Sequence, residues 1–252
     1  MKIVAISDTH NRHKDIKDFK DTNALGEDKT PLSGEVIIHS GDATGRGASG
    51  ECESFIKWFG GLDFKHKIFI PGNHDHFFEK EPERARELCK KHGVTLLIDE
   101  SVVIAGVKIH GSPYQPWFFD WAFNAARDQK EEDYLNARKD KPKYSIIKPH
   151  WDMIPEDTNI LVTHGPPYEI LDELVNQHGY FTGQHVGCVE LAKRIKELNI
   201  DVHIFGHVHC SNGEKHLNGT SYYNASICDE RYIPSNPITI IDYEKEETSN
   251  GI

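Results

Sequence analysis

The sequence predicts an α/β fold in which a largely parallel or mixed β-sheet system is covered by helices. Two observations predict it. Short apolar runs rich in β-branched residues recur along the 252-residue chain, apolar on both faces as in strands covered on both sides. Helical patterns lie between several of these runs, the alternation expected of strands connected through outer helices.

The first run, Ile3 to Ile6, ends in Ser7-Asp8-Thr9-His10, and the second, Val36-Ile37-Ile38, ends in His39-Ser40-Gly41-Asp42. Residues 51–59 place Phe55, Trp58 and Phe59 at i, i+3 and i+4, the apolar face of a helix. Ile68-Phe69-Ile70 then leads into Pro71-Gly72-Asn73-His74-Asp75, and the charged stretch 79–91 predicts a surface helix. Strands are expected at 95–98, 101–105 and 107–110, the last two forming a hairpin about Gly106, so the sheet system is mixed. Region 111–157 is irregular. It opens with aromatic residues and continues into a mixed-charge run from Lys130 to Lys143, read either as a solvated face or as a lid over a pocket. Ile160-Leu161-Val162 runs into Thr163-His164-Gly165. Residues 186–198 space Val189, Ala192, Ile195 and Leu198 helically, and Val202 to Phe205 precedes Gly206-His207-Val208-His209. Strands at 220–224 and 237–242 and a fraying polar tail at 244–252 complete a single expected domain over residues 1–252.

Composition narrows the function. Lys and Arg number 29 against 40 Asp and Glu, a net charge of −11, which disfavours gripping a long nucleic-acid backbone. A small anionic substrate stays compatible with that balance if metal ions supply local positive charge. Five cysteines with no C-x-x-C spacing fit neither a disulfide framework nor a thiolate zinc site and suggest a reducing compartment. No apolar run approaches the roughly 18 residues of a membrane span. The reading is a cytoplasmic protein with no membrane partner.

Ligands of open α/β sheets bind beyond the carboxyl ends of the strands. There the five polar clusters present Asp8, His10, Asp42, Asn73, His74, His164, His207 and His209. Oxygen and imidazole donors without a thiolate suit Mn, Fe or Zn. Eight such groups exceed one tetrahedral zinc and suit two cations sharing a carboxylate. Each cluster alone has an ordinary reading. Asp8 could cap a turn, Gly41-Asp42 and Gly72-Asn73 could be tight turns, and His164 could be a hydrogen-bonded core histidine. Gly206-His207-Val208-His209 is the strongest single piece, because histidines at i and i+2 share a direction in extended backbone.

Taken in order, D-x-H, G-D, G-N-H-D, G-H and G-H-x-H resemble the calcineurin-like metallophosphoesterases. The resemblance is nearest to the metallophosphoesterase-domain (MPPED-type) proteins, related to class III cyclic nucleotide phosphodiesterases. Ser7 to Arg12, Gly111-Ser112-Pro113, Pro116-Trp117-Phe118 and Trp121-Ala122-Phe123-Asn124 carry that nearer likeness. Thr163 to Pro167, Val186 to Leu191, Asn224-Ala225-Ser226 and Pro234 to Pro237 continue it over nearly the whole chain.

The resemblance implies a four-layer α/β/β/α sandwich of two mixed sheets with a dinuclear metal site at strand ends. It implies one metal on Asp8, His10, Asp42 and His209, and a second on Asp42, Asn73, His164 and His207, with Mn favoured. His74 would be the catalytic histidine, aiding the leaving group while a hydroxide held between the cations attacks phosphorus. The substrate class implied is a small phosphodiester, with cyclic or other nucleotides favoured. A phosphomonoesterase or protein phosphatase is the alternative, and a non-catalytic scaffold fits the complete ligand set poorly.

Two departures qualify the resemblance. Gly45 stands where serine/threonine phosphatases carry an Asp that pairs with the catalytic histidine, which leaves Asp75 or another group to orient His74. The stretch from Lys130 to Pro149 looks inserted. Substrate contacts are expected from three places: Arg46, as a phosphate clamp or else a surface arginine; His110, at a further strand end; and Trp117 among the neighbouring aromatics. Of the remaining histidines, His39 and His203 read as core groups, and His13, His66, His92, His178, His185 and His216 as surface groups.

Overall fold

A computed structural model describes residues 1–19, 32–137, 139, 143–176 and 178–245. The elements are β1 (Lys2–Ile6), β2 (Gly34–His39), α1 (Ser49–Gly60), β3 (Phe64–Phe69), α2 (His76–Lys80), α3 (Pro82–Lys91) and β4 (Thr95–Leu96). There follow β5 (Glu100–Ile104), β6 (Val107–Ser112), β7 (Gln115–Pro116), β8 (Asn124–Ala125), α4 (Gln129–Asn136), α5 (Lys148–Asp152) and β9 (Ile160–Thr163). Then come β10 (Glu173–Val175), β11 (Phe181–His185), α6 (Val189–Glu197), β12 (Val202–Phe205), β13 (Gly213–Leu217), β14 (Thr220–Asn224) and β15 (Thr239–Asp242).

One sheet has the order β15-β1-β2-β3-β4 and a second the order β13-β14-β12-β9-β6-β5. Within each, the inner strands pair in parallel while β15, β13 and β5 add antiparallel edges, so both sheets are mixed. Side chains alternate between the faces of a strand, and this alternation builds the layers. Ile3 and Ala5 of β1, with Val36 and Ile38 of β2, face Ile109, Ile160, Val162 and Ile204 of the other sheet. Their neighbours Val4, Ile6 and Ile37 face the opposite way, against Phe55, Ile56 and Phe59 of α1 and Phe78 of α2. On the far side, Leu161, Phe205 and Tyr222 meet Trp151 of α5 with Leu191 and Ile195 of α6. The order is helix, sheet, sheet, helix, as the resemblance implies.

Several elements differ from expectation for local reasons. The stretch 79–91 is two helices, because Pro82 opens α3 and the residue before a proline is pushed out of the helical region: Glu81 sits at φ −132°, ψ 56°. Its Ala85 and Cys89 are core residues. In α6 the buried pair is Leu191 and Ile195, and Val189, in the first turn, is exposed. The strand expected at 95–98 shortens to two residues. The hairpin forms as expected, turning at Ala105 (φ 49°) and Gly106 (φ 78°), both left-handed as two-residue hairpin turns require. His13, expected on the surface, is buried against Phe55 and Trp58. Region 111–157 divides: Gln115 and Phe118 reach a cavity wall, while Ile147, Trp151 and Ile154 are core. The tail expected at 244–252 lies, beyond Lys245, outside the described residues.

Candidate metal centre

The carboxyl ends of β1, β2, β3, β9 and β12 open onto one edge, and the loops there are tied together. The Asp8 N–H donates to the Gly41 carbonyl (2.9 Å), that of His10 to Asp42 (3.0 Å) and that of Gly206 to His164 (2.9 Å). The backbone is bent hard at this edge. Asp8 (φ 53°), His10 (φ 40°), Asp42 (φ 53°) and His207 (φ 70°) all hold left-handed conformations that cost non-glycine residues energy. Two glycines permit the approach: a Cβ on Gly206 would lie 2.1 Å from Asp8 Oδ2, and one on Gly72 would lie 2.3 Å from Asp42 Oδ1.

The side chains converge. Asp8, His10 and His209 form one group, Asp42, His164 and His207 another, and His10, Asp42 and His74 a third; each has its ligand atoms within 4.8 Å of one another. Asp42 Oδ2 lies 3.9 Å from His10 Nε2, 3.4 Å from His164 Nε2 and 3.9 Å from His74 Nε2, so it stands between the groups. Asn73 Oδ1 is 2.8 Å from His164 Nε2, and Asp8 Oδ1 is 3.4 Å from His209 Nε2. All eight residues expected at the site are therefore brought together.

The donor set fits a pair of divalent cations. Each carboxylate has one oxygen tied and the other directed inward. Asp8 Oδ2 accepts from the His207 N–H and the Ser226 hydroxyl (2.9 Å each), while Oδ1 is buried with no hydrogen-bond partner among the described residues. Asp42 Oδ1 accepts from the His74 N–H (2.7 Å), which leaves Oδ2 for the centre. Two of the imidazoles follow the same rule. Nδ1 of His164 is 3.0 Å from the Ser40 carbonyl and Nδ1 of His209 is 3.0 Å from that of Asp229, the outer contacts that set a ligand histidine's tautomer and present Nε2. His10 and His209 bring their Nε2 atoms within 3.1 Å, where a shared cation would give both lone pairs a partner.

Electrostatics agree. Burial pushes the Asp8 and Asp42 carboxyls up, but His209 beside the first and His164 and His74 beside the second outweigh it and hold both below the usual range. Burial also pushes His164 and His209 down, yet Asp42 and Asp8 respectively raise each to about 9. Burial dominates at His10 (about 4) and His207 (about 3). His164 and His209 thus hold protons that bound cations would displace.

His74 stands at the rim. Its Nδ1 is 2.6 Å from the Gly45 carbonyl, and its ring stacks on Trp121 with centroids 4.2 Å apart. Asp75, one of the expected orienting groups, points elsewhere: it is fully buried and accepts from the N–H groups of Ala43, Thr44 and Gly72. A backbone carbonyl leaves no mark in a residue pattern, so sequence reasoning had no signal for Gly45. Trp121 was visible only as part of the family likeness.

A cavity of about 720 Å³ opens over the cluster, walled by Phe118, Tyr168, Tyr232 and Arg127. None of the three expected substrate contacts is among the residues that line this cavity. Arg46 is exposed and does not line the cavity. His110 is buried between β5 and β9, its Nδ1 2.9 Å from Ser101 Oγ, because the strand continues past it to Ser112. Trp117 packs on a small cluster of Ala126, Leu135 and Tyr144, and its neighbour Phe118 faces the cavity.

The chain is similar to several known proteins. It is 33% identical to human metallophosphoesterase domain-containing protein 1 over 96% of this chain and 70% of the relative. A Caenorhabditis elegans protein, UPF0046 protein C25E10.12, is 31% identical over 92% of this chain and 76% of its own length. Among solved structures, the phosphopantetheinyl hydrolase of Mycobacterium tuberculosis superposes with a TM-score of 0.52 at 16% identity, over 92% of this chain and 90% of that one, a likeness of fold. The family model described as calcineurin-like phosphoesterase matches residues 1–211. With the layered sheets and the converged carboxylate and imidazole groups, that match identifies the chain as a member of the calcineurin-like phosphoesterase family.

Proposed function

We propose that this chain is a dinuclear metal-dependent phosphodiesterase acting on small phosphodiesters, nucleotides foremost. The observation that carries the proposal is Asp42 standing between two ligand groups, with His74 beside it at the mouth of one cavity. Asp8, His10, Asp42 and His209 would hold one cation, and Asp42, Asn73, His164 and His207 the other; this mixture of oxygen and imidazole donors suits Mn, Fe or Zn, of which Mn is the metal proposed. Two bound cations supply Lewis acidity and offset the charge on the phosphoryl oxygens.

The chain's own residues do the rest. Asn73 contributes a neutral oxygen, so the centre stays cationic enough to attract an anion. His74, with Nδ1 fixed at the Gly45 carbonyl, presents Nε2 to the cavity, where its protonated form can donate to the departing alkoxide; such assistance is worth roughly 10²–10⁴-fold. A diester suits the cavity because it brings one negative charge at phosphorus and Arg127 is the single arginine among the lining residues. Phe118 and Tyr232 offer faces for a base. All five cysteines are unpaired, which supports the cytoplasm as its place; no described helix is long and apolar enough to cross a membrane.

Bis-p-nitrophenyl phosphate tests the proposal. Turnover is expected to vanish on chelation and return with Mn. Retained turnover in metal-free protein, or faster turnover of p-nitrophenyl phosphate than of the diester, would count against it.

A further inference from the structure

The cavity has a second polar feature, away from the cluster. His185, which the sequence places among surface histidines, ends β11 and lines the same cavity as His74 and His207. Its Nδ1 lies 2.6 Å from Asp172 Oδ1. Asp172 is fully buried, and its other oxygen accepts from the N–H groups of Glu169 (3.0 Å) and Gly187 (2.9 Å). Gly187 can make that approach only without a side chain, since a Cβ would lie 2.5 Å from the Pro167 carbonyl oxygen and 2.8 Å from Asp172 Oδ2. The carboxylate is therefore locked, and it locks the ring. Nε2 has no hydrogen-bond partner among the described residues, and the side chain is 30% exposed. Nothing in the metal cluster requires this pair. Besides the cluster, the Arg, His and Glu side chains among the lining residues are Arg127, His185 and Glu230, and Arg127 is already held by Glu131 (2.8 Å) and the Trp117 carbonyl (3.0 Å).

We propose that His185 forms a second anion-binding subsite in the cavity, so that the preferred substrate carries an anionic group, such as a phosphate monoester, apart from the diester that reaches the metal cluster. This rests on the diester reading above and narrows its substrate class. Protonated His185 donates Nε2–H to an oxygen of that group while Nδ1–H remains with Asp172. The groups acting on it are Asp172, Glu169 and Glu173, with the Tyr168 ring 5.8 Å away; the hydrogen bond to Asp172, foremost, raises its pKa. When His185 deprotonates, Nε2 turns from donor to acceptor and the anion loses its partner. The preference for the anionic arm is therefore present at lower pH and lost as pH rises through the His185 titration.

The test compares 2′,3′-cyclic AMP with the same nucleotide bearing a 5′-phosphate, on the Mn-loaded full chain. The phosphorylated form is expected to show a KM lower by roughly tenfold or more, the size of a charge-assisted hydrogen bond. His185→Ala is expected to collapse the ratio of the two KM values towards one. His185→Gln keeps an N–H donor without a titrating charge, so it retains a reduced preference that no longer changes with pH; it also covers the case in which the alanine variant misfolds. Equal KM values in the parent protein, or a ratio unmoved by either variant, would overturn the subsite and leave the diester reading intact. If neither nucleotide is hydrolysed, calorimetry on the same protein decides: tighter binding of the phosphorylated form, lost in His185→Ala, upholds the subsite while the diester reading falls. Equal binding overturns both.

Discussion

Asp75→Asn tests how the metal loops are held together. Asp75 Oδ1 accepts from the Thr44 N–H (3.0 Å) and the Thr44 hydroxyl (2.7 Å), and Oδ2 from the N–H groups of Ala43 (3.2 Å) and Gly72 (2.8 Å). One carboxylate thus staples the loop after β2, which carries Asp42, to the loop after β3, which carries Asn73 and His74. An asparagine must put its NH₂ on one side. Against Oδ2 it would meet two N–H donors. Against Oδ1 it meets one, because the Thr44 hydroxyl can turn and accept, so that orientation wins and orphans the Thr44 N–H. A buried donor left unsatisfied costs about 1–3 kcal/mol, and the surviving bonds lose their charge assistance. Part of this is returned. Burial and the nearby Asp42 push the Asp75 carboxyl up to about 6, and a neutral amide removes that strain. The net expectation is a loss of about 2 kcal/mol, which for a chain of this size lowers Tm by roughly 4–8 °C. Thermal melts of metal-loaded and chelated protein measure it, with metal content and kcat alongside. We expect kcat to fall through misplacement of His74, whose ring partner is the Gly45 carbonyl. An unchanged Tm together with unchanged kcat would refute the staple.

Three further outcomes are expected. His74→Asn should lower kcat roughly 10²–10⁴-fold with full metal content, whereas Asp42→Asn should lose metal; equal metal loss in both would contradict the division of roles. Gly206→Ala should drive Asp8 from its place, since the new Cβ would lie 2.1 Å from Oδ2, and mass spectrometry of bound metal should show less than the parent's content. Acid should destabilise the fold through histidines buried neutral. Burial lowers His13 and His110 to about 4 and His203 to about 3, so the unfolded chain binds more protons below pH 6.5. Stability is then full above pH 6.5 and falls as pH drops towards 4, by about 2 kcal/mol at pH 5 for His13 alone. Denaturant titrations at pH 7 and pH 5 should show it, and His13→Phe should flatten the difference; an equal pH dependence in the variant would refute this contribution.

Order along the chain carried much of the result. The runs at Ile3, Val36, Ile68, Ile160 and Val202 are doubly apolar, and a strand of that kind must be covered on both faces, so layers of helix over sheet follow from local chemistry. The polar residue types that end each run were equally readable, and all eight meet at one edge. Contacts made by backbone groups or through packing were not readable. The Gly45 carbonyl beside His74, the burial of His110 within its sheet and the turning of Phe118 rather than Trp117 into the cavity depend on where other elements lie. His13 reversed its expected surroundings for the same reason: a histidine carries no periodic signature, so its burial is set by its neighbours. Residue types and their periodicity thus determined the layers and the donor set of this protein. Orientation, cavity and the pairing of Asp172 with His185 were decided by tertiary structure, because they arise from contacts between segments far apart in the chain that no local pattern encodes.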